Sequence, residues 1–206
     1  MDKIIFHPEF VTATIYEWHA LLKKDEFKQI IIDSLKFLVK DDRIILYAYC
    51  LMDTHIHLIW QVKGIWLSSQ VRRDFFKYTA QQFKKLLEQK YPRALHIFKA
   101  TQQDRIHQFW ERHTLCVELY TPTVFEQKVD YIHNNPVKAG LCTYPEEYGY
   151  SSAKYYLPPR LVTISGSLPP KLAVAAEVGN HLNFLTSQTR RGCVFSTNHP
   201  LLYDAK

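Results

Sequence analysis

The sequence predicts an α+β fold, a ferredoxin-like (RRM-like) antiparallel sheet with helices on one face and a further helix after the last strand. Strand-like and helix-like segments follow one another in the order β-α-β-β-α-β-α, which is that of a ferredoxin-like sheet. Two of the predicted strands are separated only by the polar residues Asp53 and Thr54, which joins them as an antiparallel hairpin. A composition of 47% hydrophobic and 22% charged residues in 206 is typical of a globular protein with its own core.

Three strands and two helices are predicted in the first half of the chain. Glu9–Trp18 is β-branched and aromatic, as strands are. Residues 23–42 carry apolar side chains at helical spacing with Lys and Asp on the other side, which predicts an amphipathic helix. Arg43–Met52 and His55–Val62 are the two strands of the hairpin. A second helix is predicted over Ser68–Tyr91, with its first serine as the N-cap.

The second half predicts one more strand, one helix and a tail. Part of Asp104–Leu119 is interpreted as the fourth strand. A helix is expected to begin at Thr121 and Pro122, a good pair for the N-cap and first helical positions, and to stop at Pro136. Residues 1–160 then form one domain. Residues 161–206 are expected to be an irregular C-terminal extension in which only Leu172–Val178 indicates a helix.

Charge, cysteines and hydropathy limit the classes of function. The 26 Lys and Arg against 20 Asp and Glu give a formal charge of +6, which mildly favours a polyanionic partner. The four cysteines form no C-x-x-C pair, so reduced structural thiols are expected rather than a zinc or redox site. The N-terminus lacks a signal-peptide pattern, and no apolar run approaches the roughly 18 residues that cross a membrane. These features predict a cytoplasmic protein with no membrane partner.

His55 and His57 lie two residues apart in a predicted strand that otherwise has the character of a buried segment. Side chains two apart on a strand share a face, so both imidazoles can be directed at one point, as a divalent metal requires. An isolated H-x-H is more often a pair of half-exposed histidines on a sheet face. The pair therefore gains meaning only with a partner elsewhere in the chain.

The segment Asp130–Pro136 offers that partner. Tyr131 and Asn135 are four residues apart, so on a helix they lie on one face, whereas His133 points elsewhere. The spacing favours Asn135 over His133 as a third ligand, because an amide oxygen can coordinate a hard cation. Taken alone, a core tyrosine and a helix-terminal asparagine explain the same pattern.

The predicted helix from Ser68 is basic and aromatic. Its cations Arg72, Arg73 and Lys77 can contact phosphates, and its rings can stack on the bases of a single strand. Phe75 and Phe76 cannot both face the core, which leaves one of them for stacking, with Phe76 taken as the candidate. A solvated helix face beside an apolar stripe explains the same residues without a ligand.

Four segments resemble those of one family. They are LMDTHIHLIWQV, QFWERHT, VDYIHNNPVKAGLC and YGYSSAKYY, which together span roughly residues 9–156 with the strand before them. In this order they resemble the REP-associated tyrosine transposases, relatives of the single-tyrosine (Y1) transposases of the HUH superfamily. The H-x-H strand together with the tyrosine segment is specific to the family, and neither is specific alone.

The resemblance implies an activity and a set of roles. His55, His57 and Asn135 would hold a divalent metal, Mg²⁺ or Mn²⁺, and Tyr131 would be the nucleophile. The family cuts single-stranded DNA next to a hairpin and leaves a 5′-phosphotyrosine on the protein and a free 3′-hydroxyl that can reseal the strand. The implied partner is therefore single-stranded or hairpin DNA. Relatives act as monomers or as homodimers that share sites, and both states stay open here.

Two basic residues flank the motifs, and one position departs from the family. Arg112 and Lys138 are predicted phosphate contacts, with a solvated surface as the alternative. Asp53 stands where relatives commonly have proline, and it could assist the metal. Two other functions stay open: a catalytically silent protein that binds single-stranded or hairpin nucleic acid, and a metal hydrolase that uses Asp53 with His55 and His57.

Overall fold

The computed structural model describes residues 7–100 and 106–156. The strands are β1 (Glu9–Thr14), β2 (Ile44–Leu51), β3 (His55–Val62) and β4 (Leu115–Glu118). The helices are α1 (Asp25–Lys40), α2 (Ser68–Lys90), α3 (Pro92–Leu95), α4 (Pro122–His133) and α5 (Asn135–Lys138). The predicted order of elements is confirmed as far as α4. The predicted extension after residue 160, including the helix over Leu172–Val178, lies outside the described residues.

The four strands form one antiparallel sheet in the order β2-β3-β1-β4. The β2–β3 hairpin is confirmed, and β1 lies between β3 and β4. This is the ferredoxin-like arrangement that the order of elements predicts. The fourth strand is short, at four residues, and lies within the segment that was expected to hold it.

The two faces of the sheet carry different helices. Trp60 of β3 is fully buried and packs edge-on against Phe75 of α2, with ring centroids 5.5 Å apart. His57, three residues earlier on the same strand, points to the opposite face and meets Tyr131 of α4. Because side chains alternate along a strand, an apolar core and a polar site lie back to back on β3.

The first strand ends earlier than the sequence predicts. β1 stops at Thr14, and residues Tyr16–Trp18 form a 3₁₀ turn in which Glu17 and Trp18 have φ angles of 51° and 56°. The Glu17 amide donates to a carboxylate oxygen of Glu111 at 2.7 Å. A tertiary contact thus overrides the β propensity of these residues.

The start of α2 also differs from the prediction. Leu67 is the N-cap, and Ser68 is the first helical residue. The Ser68 hydroxyl donates instead to the buried carboxylate of Glu9 at 2.5 Å, and the Trp60 indole donates to the same carboxylate at 3.2 Å. The serine therefore satisfies a buried acid rather than a helix end.

The predicted tyrosine helix is divided in two. It begins as predicted, because the Thr121 hydroxyl accepts from the amide of Val124 and Pro122 is the first helical residue. It ends at His133 rather than at Pro136. Pro136 lies in the first turn of α5, where its missing N–H and fixed φ are tolerated.

The residues after α5 return to the sheet. The amide of Leu51 donates to the carbonyl of Tyr150 at 2.9 Å, and the amide of Ser152 donates to the carbonyl of Tyr49 at 3.0 Å. The segment YGYSSAKYY therefore lies along the outer edge of β2. Within the described residues Cys50, Cys116 and Cys142 are free thiols, and none of the helices is long and apolar enough to span a membrane.

Candidate active site

The two histidines at the start of β3 are held by threonines. Their ring centroids are 4.8 Å apart on one face of the sheet, with His57 buried and His55 half-buried. The hydroxyl of Thr12, which is opposite His57 in the sheet, lies 2.8 Å from Nδ1 of His57, and the Thr54 hydroxyl lies 3.0 Å from Nδ1 of His55. With each Nδ1 engaged, Nε2 is the atom available for a ligand.

Burial keeps both imidazoles neutral. Burial, together with the nearby charges of His55 and Lys128, lowers the pKa of His57 to about 3. Burial also lowers the pKa of His55, although a hydrogen bond with Asn135 acts in the opposite direction. Neutral imidazole is the form that binds a metal, so at pH 7 both rings are ready to do so.

The α4–α5 segment brings an amide and a phenol to the histidines. The amide nitrogen of Asn135 lies 3.1 Å from Nε2 of His57. The Tyr131 ring meets the His57 ring edge-on with centroids 5.3 Å apart, and its side chain is 42% exposed. The structure thus gathers His55, His57, Tyr131 and Asn135, although the helix breaks between the last two.

His133 does not belong to this group, as the sequence predicts. It is buried, and its Nε2 lies 2.9 Å from the hydroxyl of Ser152. Its ring also packs on Tyr156 with centroids 4.6 Å apart. Burial lowers the pKa of His133 to about 4, so it is a neutral core residue that fastens α4 to the segment along β2.

The donor set fits a divalent cation through two imidazoles and one amide. Within the described residues no group of three or more His, Cys, Asp and Glu side chains could hold a metal ion. Asn135 presents its amide to Nε2 of His57, and rotating the amide by half a turn places its oxygen there, which is the atom a cation requires. His55, His57 and Asn135 are therefore the side chains that could hold a metal ion.

Asp53 pairs with a lysine of α1 in the structure. One of its carboxylate oxygens accepts a hydrogen bond from the ammonium of Lys28 in α1 at 2.9 Å, and that lysine is buried. The idea that Asp53 helps to bind a metal, and the hydrolase that would use it, therefore stay predictions. The ion pair with Lys28 holds Asp53 in the turn that precedes His55.

Two lysines surround the Tyr131 ring. The ammonium of Lys138 lies 5.5 Å from the ring centroid, and that of Lys128 lies 5.7 Å from it and 4.8 Å from the ring of Phe10. Lys138 was predicted as a phosphate contact, whereas Lys128 was missed. The sequence could have indicated Lys128, because a residue three positions before Tyr131 lies on the same face of the predicted helix.

The other predicted DNA contacts share one groove of about 790 Å³, on the α2 side of the sheet. Its walls are α2 and the segment from His107 to Thr114. Of the neighbouring residues Phe75 and Phe76, Phe76 lines the groove, whereas Phe75 is buried in the core. Five of the six residues predicted to bind DNA line the groove: Arg72, Arg73, Phe76, Lys77 and Arg112.

The cations of the groove are not equivalent. The guanidinium of Arg72 contacts Glu9 at 3.4 Å and the thiol of Cys116 at 2.9 Å, so it is partly engaged by the protein. Arg73, Lys77 and Arg112 have exposed side chains. These three carry positive charge at the surface of the groove, and Arg73 also pairs with the carboxylate of Asp74 at 3.2 Å.

No protein-family model matches the sequence, and no curated protein matches it. Among solved structures, a REP-associated tyrosine transposase bound to a REP hairpin is 16% identical with a TM-score of 0.52, and the match covers 82% of this chain and 97% of that one. A protein provisionally assigned as a transposase, from Deinococcus radiodurans R1, is 15% identical with a TM-score of 0.42, covering 65% and 97%. The resemblance seen in the motifs is confirmed at the level of fold: this chain is folded like a REP-associated tyrosine transposase.

Proposed function

We propose that the protein is a metal-dependent transesterase that cuts and rejoins single-stranded DNA at hairpin or palindromic elements through a 5′-phosphotyrosine. The observation that carries this proposal is the meeting of Tyr131 with His55, His57 and Asn135 in one site. A phenol beside two neutral imidazoles and an amide is a nucleophile next to a metal donor set. The proposal assigns this activity to a domain of residues 1–160.

The chemistry follows from the residues of the site. The phenol oxygen of Tyr131 attacks a phosphodiester phosphorus and gives up its proton to water, and a phosphorus–oxygen bond forms. The bond to the 3′-oxygen breaks at the same time, and that oxygen takes up a proton from water. Lys128 and Lys138 supply positive charge where the phosphate would lie. A bound Mg²⁺ or Mn²⁺ would polarise the phosphate and stabilise the leaving oxygen. Because phenolate leaves more readily than an alkoxide, the 3′-hydroxyl can reverse the reaction.

The basic groove supports DNA as the substrate. A hairpin stem is a dense array of phosphates, and exposed arginine and lysine side chains release its counterions on binding. Phe76 adds an aromatic surface to the same groove. The similarly folded protein was solved with a REP hairpin, which is consistent with a hairpin as ligand. Hairpin or single-stranded DNA is therefore the proposed partner.

The deciding test is the trapping of a covalent adduct. Wild-type protein with Mn²⁺ is incubated with end-labelled single-stranded hairpin oligonucleotides, and the products are separated under denaturing conditions. We expect a labelled protein band with wild type and none with Tyr131→Phe, while both proteins shift the same DNA in a native gel. Tyr144→Phe is the matched control, since this exposed tyrosine lies outside the site and should leave the adduct unchanged.

The outcomes separate the candidate functions. An adduct that persists in Tyr131→Phe removes the assignment of the nucleophile. DNA shifted by wild type without any adduct, under every divalent metal tried, identifies the silent binding protein instead. Hydrolysis of a substrate that survives Tyr131→Phe would point to a metal hydrolase.

A further inference from the structure

An exposed tryptophan stands beside the histidine pair and has no part in the chemistry described so far. Trp18 is 63% exposed, although tryptophan is a residue that proteins usually cover. Its ring lies 5.8 Å from that of His55 in an edge-on arrangement. A large flat aromatic surface is thus open to solvent at the rim of the candidate active site.

The backbone that carries Trp18 is held in an unfavourable conformation. Glu17 and Trp18 are consecutive residues with positive φ angles, 51° and 56°, and residues other than glycine seldom adopt such angles. Hydrogen bonds fix the turn: the Trp18 amide donates to the carbonyl of Ile15 at 2.9 Å, and the Tyr16 amide donates to that of Phe109 at 2.9 Å. Such strain persists where the surroundings impose it, and it concentrates at functional sites.

Glu111, which holds this turn in place, also lines the basic groove beside α2. Glu111 accepts the Glu17 amide at 2.7 Å, and its own amide donates to the carbonyl of Thr14 at 2.8 Å. The same glutamate is part of the groove wall with Arg112. The Trp18 turn therefore lies between the groove on one face of the sheet and the histidines on the other.

We propose that the Trp18 indole stacks on an unpaired base next to the phosphate that Tyr131 attacks, and so positions the single strand that leaves the groove. This inference rests on the proposed function and adds a contact for a base beside the lysines, which would contact phosphates. Glu111 is a positioning residue that acts through the turn. Every base has a face that can stack on an indole, but only an unpaired base is free to leave its neighbours and do so. Trp18 therefore favours an unpaired nucleotide over a paired one, whatever the base.

The test combines a variant of the protein with a change in the DNA. Trp18→Ala, Trp18→Phe and the control Tyr78→Ala are each made in the Tyr131→Phe background, so that binding is measured without cleavage. Tyr78 is a suitable control because it is exposed on α2 but does not line the groove. The ligand is a hairpin oligonucleotide that gives an adduct with wild type, and an abasic site is moved through its single-stranded flank.

Loss of one stacked base is expected to weaken binding about tenfold. Trp18→Ala and one abasic position should each cause this loss, and together they should cause no more than either alone, because they remove the same contact. Trp18→Phe should retain most of the affinity, and Tyr78→Ala all of it. Equal binding by Trp18→Ala and its parent, or losses that multiply at every abasic position, would overturn the stacking.

The absence of an adduct with every oligonucleotide would defeat the proposed function. A second measurement tests the stacking of Trp18 even in that case. Trp60 and Trp110 are buried, so quenching of tryptophan fluorescence by unpaired oligothymidylate reports mainly on the other tryptophans, Trp18 and Trp66. Quenching that disappears in Trp18→Phe supports the stacking. Quenching that is unchanged in that variant, or none in wild type, excludes it.

Discussion

Single side chains set the orientation of the metal donors. The Thr12 hydroxyl fixes the His57 ring across the sheet, and the Thr54 hydroxyl fixes the His55 ring from the turn before it. A ligand ring that is free to rotate loses entropy when it binds a metal, and a ring that is already held does not. In the proposed metal site, the threonines thus orient both rings before a cation binds.

Removing the Thr12 hydroxyl should weaken metal binding while leaving the fold intact. Thr12→Val keeps the volume of the side chain but breaks its contact with His57, and we expect the affinity for Mn²⁺ to fall about tenfold. Electron paramagnetic resonance of free Mn²⁺ during a titration measures the change. Thr12→Ser restores the hydroxyl and should bind as wild type does; equal affinity in Thr12→Val would show that the contact is unimportant.

Asp53 should matter for stability rather than for chemistry. Asp53→Ala leaves the buried ammonium of Lys28 without its carboxylate, which is expected to lower the free energy of unfolding by about 2 kcal/mol. The exposed pair Asp41–Arg43 is the control, and Asp41→Ala should change it by less than about 0.5 kcal/mol. Urea denaturation measures both. A loss of Mn²⁺ affinity in folded Asp53→Ala would instead return Asp53 to the metal site.

The sequence predicts some of these residues and not others for a physical reason. His55 and His57 share a face because a strand has a period of two, a property of the local backbone alone. Thr12 pairs with His57 only through the register of β1 on β3, across 45 residues of chain. The spacing of residues along one strand carries no information on its register with another strand. The sequence therefore predicts that His55 and His57 share a face, but not that Thr12 contacts His57.

Among the elements, α4 depends on the segment that follows it. His133 in its last turn contacts Ser152, and that hydroxyl also accepts the amide of Tyr49 in β2 at 2.9 Å. The phenol of Tyr156 donates to the carbonyl of Tyr47 at 2.7 Å. The helix that carries Tyr131 is thereby fastened to the sheet through buried polar contacts.

This anchor makes stability depend on pH. Burial lowers the pKa of His133 to about 4, whereas a histidine in the unfolded chain has a pKa near 6.5. Its contribution to the free energy of unfolding is therefore intact above pH 6.5 and is lost as the pH falls toward 4. His133→Gln does not titrate, so between pH 7 and pH 4 it should lose about 3 kcal/mol less than wild type.

Urea denaturation at several pH values measures this difference. His55 and His57 titrate in both proteins and cancel in the comparison. Two other acids line the cavity beside His133, Asp130 and Glu146, and both are retained in the variant. Parallel curves for the two proteins would show that His133 does not carry the proton linkage.

The same contrast between local and distant causes explains what the sequence predicted about the elements. The helical period alone indicated that Tyr131 and Asn135 share a face, and they still meet one site after the break at Asn134, whose amide contacts the carbonyl of Asp130. The early end of β1 was not predictable. It is imposed by Glu111, 94 residues from Glu17.

At the scale of the whole molecule, one chain supplies every candidate side chain of the site. Tyr131 contacts the His57 of its own chain, and the segment along β2 holds the tyrosine helix against its own sheet. The arrangement favours a site that acts in cis. The basic groove and the candidate site belong to the same chain as well, on opposite faces of one sheet.

A mixing experiment checks this arrangement. Tyr131→Phe and His57→Ala each lack one part of the site, and we expect no covalent adduct when the two are combined with Mn²⁺ and a hairpin that wild type cleaves. Wild type diluted into either variant should keep its activity per molecule. Recovery of the adduct on mixing would mean that copies exchange the tyrosine helix and share composite sites.

The hydrogen bonds from Leu51 to Tyr150 and from Ser152 to Tyr49 have a consequence for solubility and assembly. An outer strand with unpaired amides and carbonyls is a template on which another polypeptide can add and aggregate. Here the residues that follow the tyrosine helix pair with the Tyr47–Leu51 part of that edge from within the chain. Copies of the protein are thereby kept from joining their sheets at this part of the edge, next to which the helix of Tyr131 is docked.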